Sequence, residues 1–457
     1  MSTREQVAER PALVPARLRQ LPAWLPSWMR HRTTVRVGIV LGIFICAWAF
    51  DAVFAVRHGF FDLRVYYGAL NHWVDGNGEI YDYLLPGTKY GFTYPPFAAL
   101  TMLPMAYLGW HVAIAISLLL TVVASVAVLY WLVEPMARRH GWSPWFVLGI
   151  TAGLAVAFEP LRETFLFGQV NAVLLVLVAA DLLFLVRYNR SVAGVGIGIA
   201  TAIKLTPGIF IVYLVITRRF RAAMVASGTT MAATVLAAAV APDASREFWT
   251  DALWNTSRVG DESFVSNQSL NGVVHRWDPQ DPASLAWVAL VLITLGVWAW
   301  RSRQAARVGD EATGFALTGI VGVLISPITW VHHLVWVLPG LILLVDRGLM
   351  KGLPRRRQRW LLGLAAVTYA VMCSRLVWAF NGGFDTFPGW VGSNAYVWLS
   401  LVLLVAIPVS GSTAPAPVPR TGRPVESAPD LADLDRELAS VSTARVPAQE
   451  ERRLVGA

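Results

Sequence analysis

The sequence predicts an all-α, polytopic membrane protein, and two observations carry that prediction. Of the 457 residues, 56% are hydrophobic and only 15% are charged, whereas a soluble domain carries about 25% charged residues. Apolar runs of roughly 17 to 25 residues, the length that crosses the hydrocarbon core of a bilayer, recur along the chain. Together, the composition and the runs exclude a soluble domain.

The basic residues predict an orientation in the membrane. The net charge of +9 comes from arginines that cluster in short segments between apolar runs, which is the positive-inside pattern of cytoplasmic segments. This pattern favours a membrane lipid environment and predicts no nucleic-acid partner. Residues 1–34 are predicted to be a basic cytoplasmic tail, residues 35–409 the transmembrane domain, and residues 410–457 a disordered cytoplasmic tail.

Charge placement between the runs predicts about twelve spans, with both termini on the cytoplasmic side. The predicted spans are 35–54, 109–133, 145–158, 170–186, a hairpin over 191–217 with its tip at 204–207, 222–240, 285–300, 313–327, 330–345, 360–380 and 395–409. The stretch 97–109 fits either a short span or an interfacial segment. The basic pair Arg138 and Arg139 favours the second option, because it then lies on the cytoplasmic side.

Two long loops, 55–96 and 241–284, are predicted to lie outside the membrane. The first is rich in acidic and aromatic side chains, which is typical of a catalytic loop that handles a polar, sugar-like substrate. Asp62 lies just beyond the first span and is a candidate general base for a sugar hydroxyl. The alternative is an aspartate that pairs with Arg64 and anchors the loop.

Further ionisable residues are predicted on the same face of the membrane, where such residues are costly and often functional. Lys204 suits the phosphate of a lipid-linked sugar, or it is a lysine whose ammonium reaches the headgroups. Arg64 and Arg258 are further phosphate candidates. His332 and His333 are candidates for the active site, where they would bond to a leaving phosphate or a sugar; the alternative is a structural pair.

Amide and imidazole side chains in these segments complete the candidate set. Gln169, Asn171, Gln268, Asn271 and His275 are candidates for contact with the donor or with sugar hydroxyls, and solvated loop residues are the alternative. The sequence contains no Walker A, GxGxxG, HExxH, CxxC or DxD motif. We therefore expect no cofactor and no metal site.

Five segments in order resemble glycosyltransferase family 87. They are FFDLRVYYGAL with GFTYPPFAAL, GQVNAVLLVLVAADLL, AIKLTPGIFIVYLV and SPITWVHHLVWVLP. The resemblance implies the C-type glycosyltransferase fold, an extracytoplasmic site, a polyprenyl-phosphate-mannose donor and inverting formation of an α-1,2-mannoside. It also implies a glycolipid acceptor, either a phosphatidylinositol mannoside or lipomannan and lipoarabinomannan. By position, Asp62 would be the base, Lys204 a donor-phosphate ligand, and His332 or His333 an essential histidine.

Three other functions compete with this interpretation. The family also contains an arabinofuranosyltransferase, which would use polyprenyl-phosphate arabinose. About twelve spans also suit a transporter or flippase of lipid-linked sugars, although transporters commonly show internal repeats and the sequence has none that we recognise. No feature of the sequence argues for a scaffold subunit. The polar residues gathered at one face favour an enzyme.

Overall fold

The fold is entirely helical over the part of the chain that can be described. In the computed structural model, residues 33–255, 259–278 and 284–410 are described, and these ranges contain helices and turns with one isolated bridge between Leu84 and Gly91. The predicted all-α class is confirmed. The two predicted tails lie almost wholly outside the described residues, as does Arg258.

The α-helices of the described ranges are numbered here in chain order. They are α1 Thr33–Phe54, α2 Phe61–Val74, α3 Pro96–Met102, α4 Trp110–His140, α5 Pro144–Ala157, α6 Glu159–Phe167, α7 Asn171–Ala180, α8 Val195–Ile203, α9 Ile209–Ile216, α10 Phe220–Val240, α11 Pro242–Glu247, α12 Leu270–Trp277, α13 Ser284–Arg307, α14 Glu311–Ile325, α15 Leu338–Gly348, α16 Arg355–Cys373, α17 Phe387–Ser393 and α18 Ala395–Ala406. Short 3-10 segments cover Leu103–Tyr107, Thr206–Gly208, Val331–Val337 and Leu376–Phe380, and π-helical turns cover Asp181–Val186 and Phe248–Ala252.

Several of these helices are long and apolar enough to cross a membrane. Within the described ranges, five pass that test: α1, α4, α10, most of α13, and the continuous segment Val331–Gly348. The count rises to seven if the bent pairs α5–α6 and α17–α18 each form one span. The chain is therefore a membrane protein, and the count of about twelve spans stays a prediction.

The stretch before α4 contains two short helices rather than one long one. Helix α3 has 7 residues and the 3-10 segment Leu103–Tyr107 has 5, and Pro104 lies at their junction. Pro104 has no backbone N–H and does not continue an α-helix. Gly109 is extended, and α4 then runs for 31 residues. This arrangement agrees with the interpretation that a single long helix follows a short segment.

Helix α8 carries the chain to Lys204, and its start is tightly held. The carboxylate of Asp181 accepts hydrogen bonds from the backbone N–H groups of Gly194 (2.8 Å) and Ile197 (3.0 Å), which satisfies donors that a helix N-terminus leaves free. Gly194 has φ +110°, and a Cβ there would lie 2.2 Å from the carbonyl oxygen of Ala222 on α10. Close approach of α8 and α10 thus requires glycine at this position.

We expect Gly194→Ala to destabilise the protein. Left-handed backbone strain alone costs about 1–3 kcal/mol, and the added methyl group also collides with α10. Thermal unfolding in detergent should shift to lower temperature. Gly228→Ala on α10 is the matched control, because a Cβ there meets nothing within 4 Å. Equal unfolding temperatures for the two variants would contradict this account of the α8–α10 contact.

Candidate active site

Asp62 lies in the first turn of α2 and is partly buried. The chain enters this helix through Phe60, whose φ is 57° and whose N–H donates to the carbonyl of Leu166 at 3.1 Å. The Nε2 of Gln169 donates to Oδ2 of Asp62 at 2.5 Å. Burial raises the pKa of Asp62 to about 6, although the hydrogen bond from Gln169 and the charge of Lys204 oppose this shift. A carboxylate in this range can act as a general base near neutral pH.

The turn between α6 and α7 delivers two amide side chains to the same place. Helix α6 ends at Gly168, whose φ is +70° and whose missing Cβ leaves room for Leu63; a Cβ would lie 2.6 Å from that side chain. Gln169 follows at once and contacts Asp62. Asn171 begins α7, and its Nδ2 donates to the carbonyl of His332 at 3.3 Å. The local turn therefore connects α2 to the Val331–Val337 segment.

Tyr94 lies at the centre of the cluster. Its hydroxyl donates to Oε1 of Gln169 at 2.9 Å and accepts from Nζ of Lys204 at 3.3 Å. The hydroxyl oxygen of Tyr66 lies 2.9 Å from the hydroxyl oxygen of Tyr94. The hydroxyl of Tyr81 donates to the Tyr94 carbonyl at 2.7 Å and fixes the backbone there. The tyrosine therefore connects Asp62, through Gln169, to Lys204, a role that the sequence alone did not indicate.

Lys204 follows α8 in an extended conformation, with φ −148°. Its Nζ contacts Tyr94 OH at 3.3 Å, Asn171 Oδ1 at 3.1 Å and His333 Nε2 at 2.9 Å. Burial lowers the pKa of Lys204 to about 7, and the charge of Asp62 partly opposes this shift. The predicted tip residue thus lies between helices and reaches the same cluster as Asp62.

The two neighbouring histidines have different surroundings. His333 faces Lys204, and its Nδ1 accepts from the backbone N–H of Trp330 at 3.1 Å. His332 is 5% exposed, and within the described ranges its Nε2 has no hydrogen-bond partner. Its ring lies 5.2 Å from that of Phe167. His333 therefore belongs to the hydrogen-bonded cluster, while His332 presents a free ring nitrogen next to it.

Two buried carboxylates on α6 pair with side chains from other segments of the chain. Glu163 is 2% exposed, lies 2.7 Å from Nε2 of His58, and accepts from Nη1 of Arg375 at 3.2 Å. Glu159 is fully buried and accepts from the indole N–H of Trp378 at 2.7 Å. The partner of Glu163 lies 212 positions further along the chain, so no local pattern in the sequence could have indicated this group.

Other sequence candidates lie away from the cluster. Arg64 is exposed, with its guanidinium 6.0 Å from the Trp110 ring, and the structure shows no ion pair between it and Asp62. Residues two apart on a helix point to different faces, which explains why these neighbours do not meet. His275 lies 3.6 Å from Glu262.

Two amide candidates in the second loop bind backbone instead of facing the cluster. Gln268 is fully buried and its Nε2 donates to the carbonyls of Val265 and Ser393. The Nδ2 of Asn271 donates to the carbonyl of Pro327 at 3.2 Å. The Gln268 N–H also donates to the Thr329 carbonyl at 2.7 Å. These residues hold the turn that leads into the histidine segment.

Two cavities flank the cluster. The larger, of about 200 Å³, begins at Tyr66 and Gln169 and continues along Met105, Ile116 and Leu120. The smaller is lined by Lys204, His333 and Asn171, with further lining from Ser326 and Trp336. The first suits a hydrocarbon chain, since its lining is almost wholly apolar. The second, of about 10 Å³, has room for about one water molecule beside these polar side chains.

Metal ligands do not converge here. Among the residues that the structure describes, no group of three or more His, Cys, Asp or Glu side chains is arranged to hold a metal ion.

Comparison with known proteins gives consistent matches. A family model described as glycosyltransferase family 87 matches residues 92–327. A polyprenol-phosphate-mannose-dependent alpha-(1-2)-phosphatidylinositol mannoside mannosyltransferase of Mycobacterium tuberculosis is 30% identical in an alignment that covers 88% of this chain and 94% of that protein. A second relative from M. tuberculosis is a polyprenol-phosphate-mannose-dependent alpha-(1-2)-phosphatidylinositol pentamannoside mannosyltransferase. It is 35% identical over 63% of this chain and 66% of that protein. An alpha-(1->3)-arabinofuranosyltransferase of Corynebacterium glutamicum matches less, at 29% identity over 31% of this chain and 34% of that protein.

We expect Glu163→Ala to be strongly destabilising. It would leave His58 without its carboxylate and the half-buried Arg375 with only its 3.7 Å contact to Glu159, and breaking a buried pair by removing one partner typically costs about 3–5 kcal/mol. Thermal unfolding in detergent should therefore move several degrees lower. Glu134→Ala is the control, because its partner Arg138 is 74% exposed and surface pairs contribute about 0–1 kcal/mol. A melting temperature like that of the control would show that the buried group does not support α6.

Proposed function

The chain belongs to glycosyltransferase family 87, and we propose that it transfers mannose from polyprenyl-phosphate mannose to a phosphatidylinositol mannoside or a related lipomannan glycolipid. The linkage formed would be α-1,2, with inversion at the anomeric carbon. In this proposal the enzyme is a multi-pass protein of the plasma membrane, its active site faces the extracytoplasmic side, and both termini are cytoplasmic. The two mannosyltransferase relatives described above support the donor and the acceptor class.

One observation carries the proposal: a partly buried carboxylate and a lysine amine are joined by only two intervening side chains. Gln169 contacts Asp62, Tyr94 contacts Gln169, and Lys204 contacts Tyr94. A sugar bound across this bridge would have a base on one side and a phosphate ligand on the other. Inverting displacement requires that geometry, because the nucleophile and the leaving group lie on opposite sides of the reacting carbon.

The proposed reaction follows from these positions. Asp62 removes the proton from an acceptor hydroxyl while that oxygen forms a bond to the anomeric carbon. The bond between this carbon and the phosphate oxygen breaks, and polyprenyl phosphate leaves with the electron pair. Lys204 and His333 would stabilise the charge that develops on the phosphate, and such contacts are strongest where water is excluded.

The apolar cavity supports a prenyl donor. It starts at Tyr66 and Gln169, which belong to the same hydrogen-bonded cluster as Asp62, and continues to side chains on α4. A prenyl phosphate has its hydrocarbon attached directly to the phosphate. In a mannoside glycolipid, by contrast, a headgroup of several sugars separates the lipid from the reacting hydroxyl. A hydrocarbon cavity that begins beside the reacting groups therefore suits the donor chain.

Asp62→Asn should abolish transfer of mannose. An amide has no basic oxygen for the acceptor proton, and general base catalysis typically contributes about 10²–10⁴-fold. The measurement is transfer from radiolabelled polyprenyl-phosphate mannose to a phosphatidylinositol-mannoside acceptor, in membranes with matched amounts of protein. Asp75→Asn is the control, since Asp75 is exposed at the end of the same helix α2.

The outcomes separate the competing functions. Activity in the wild type and in the Asp75 variant, with none in the Asp62 variant, supports the enzyme and its base. Equal activity in all three removes Asp62 from the mechanism. Transfer of arabinose but not mannose by the wild type supports the arabinofuranosyltransferase alternative. Movement of a lipid-linked sugar across vesicles, without any transfer, supports the flippase.

The rate should depend on pH through Asp62. The base acts only when deprotonated, and burial raises its pKa to about 6, compared with about 3.9 for an exposed aspartate. The value of kcat/KM should thus fall about tenfold per pH unit below pH 6. Thermal unfolding measured at each pH checks that the protein stays folded. A rate that remains constant down to pH 5 would contradict the assignment.

A further inference from the structure

The hydrogen bonds around His333 constrain the protonation of Lys204. The backbone N–H of Trp330 donates to Nδ1 of His333 at 3.1 Å. A backbone N–H is always a donor, so Nδ1 carries no proton. A neutral imidazole has one protonated and one unprotonated nitrogen. The proton of His333 therefore lies on Nε2, and this nitrogen is 2.9 Å from Nζ of Lys204.

The three contacts of Lys204 then decide which form of the amine fits. An ammonium has three donors and no acceptor, so its contact with a protonated Nε2 would place two donors against each other. A neutral amine has two hydrogens and one lone pair. The hydrogens are donated to Tyr94 OH at 3.3 Å and Asn171 Oδ1 at 3.1 Å, and the lone pair accepts from Nε2–H of His333. Every contact is then satisfied.

The other side of Asn171 agrees with this assignment. Its Nδ2 donates to the carbonyl of His332 at 3.3 Å, which leaves Oδ1 as the atom that faces Lys204. The amide is therefore an acceptor toward the lysine. The hydrogen-bond pattern accommodates two donated hydrogens from Nζ, and the third position faces a donor.

We propose that Lys204 is a neutral amine in the empty site, hydrogen-bonded to Nε2–H of His333, and that binding of the prenyl phosphodiester adds one proton to it. This inference rests on the proposed function, because it takes the ligand to be a lipid phosphodiester. The step is a simple protonation: the amine takes up one proton from solvent and becomes an ammonium. The ammonium then pairs with the single negative charge of the diester, while His333 is released to donate Nε2–H to a phosphate oxygen.

The titratable groups that face Lys204 come from three elements. Tyr94 lies in the loop before α3, His332 and His333 lie in the Val331–Val337 segment, and Asp62 on α2 acts through Gln169. Asp62 is the acidic group whose charge favours the ammonium, and burial opposes it. A phosphodiester bound against Nζ of Lys204 would add a second negative charge at hydrogen-bond distance and so favour the protonated form.

The neutral amine has a physical advantage. An unpaired cation in a desolvated site costs free energy. A permanently charged residue at this position would carry that cost whenever the donor is not bound. A lysine that becomes charged only with its anion avoids this cost. A guanidinium could not do so, because arginine stays protonated in proteins.

The test measures the charge of Lys204 directly. The chain contains three lysines, Lys89, Lys204 and Lys351, so lysine labelled with ¹³C at Cε gives three signals in the full-length protein in detergent. Lys89 and Lys351 are exposed and provide references, and Lys204→Arg assigns the remaining signal. The probe is citronellyl methyl phosphate, a diester that has no titratable proton between pH 5 and 9.

At pH 8 the Lys204 signal of the empty protein should lie at the position of a neutral amine. Addition of the diester should move it to the position of an ammonium, with uptake of close to one proton per ligand in calorimetry with buffers of different ionisation enthalpy. Affinity for the diester should fall about tenfold per pH unit above pH 7 to 8. In Lys204→Arg it should be constant over the same range.

Asp62→Asn removes the acidic group near Lys204 that could take up the proton instead. The uptake should persist in this variant; its loss would assign the proton to Asp62 and overturn the proposal. A Lys204 signal at the ammonium position in the empty protein would also overturn it, even if the diester binds normally and transfer proceeds. Failure of the wild type to bind the diester at any pH from 6 to 9 would instead overturn the phosphate site, and with it the binding half of this inference.

Discussion

The site depends on the two hydrogen bonds that the carboxamide of Gln169 makes to its neighbours. Its Nε2 donates to Asp62 and its Oε1 accepts from Tyr94, so the amide has one orientation that satisfies both neighbours. Because a carboxamide has distinct donor and acceptor ends, it joins the carboxylate of Asp62 to the hydroxyl of Tyr94 without placing two charges in contact. Gly168 makes this possible, since only glycine fits the left-handed turn against Leu63.

The rest of the fold holds the two ends of this bridge at a constant separation. Helix α6 is held by the buried carboxylate of Glu163, which pairs with His58 and Arg375, and the hydroxyl of Thr164 donates to the carbonyl of His332. Helix α8 is held by Asp181 at its start. The carboxylates of both supports, Glu163 and Asp181, are buried and accept hydrogen bonds. Buried polar groups that are paired are costly to disturb and fix one arrangement, as the proposed base and the proposed phosphate ligand require.

Burial shifts the pKa values of Asp62, the proposed base, and Lys204, the proposed phosphate ligand, in opposite directions. Desolvation disfavours charge, so it raises the pKa of the Asp62 carboxyl and lowers that of the Lys204 amine. Both pKa values thereby lie close to neutral pH, where a small change in the surroundings of either group changes its protonation. In the proposed mechanism, binding of a phosphodiester would be such a change for Lys204. The same low-polarity surroundings that make the site sensitive to charge would also strengthen its contacts to a leaving phosphate.

The sequence by itself determined the class of protein and most helix positions, because apolar length and basic flanks depend on neighbouring residues alone. Its candidates for the site included Asp62, Lys204, Gln169, Asn171 and His333, since ionisable and amide residues stand out against apolar runs. Only the tertiary structure decided that these five meet, that Tyr94 joins them, and that Gln268 and Asn271 hold a backbone turn instead. Those facts depend on contacts between segments far apart in the chain, for which a local pattern carries no signal.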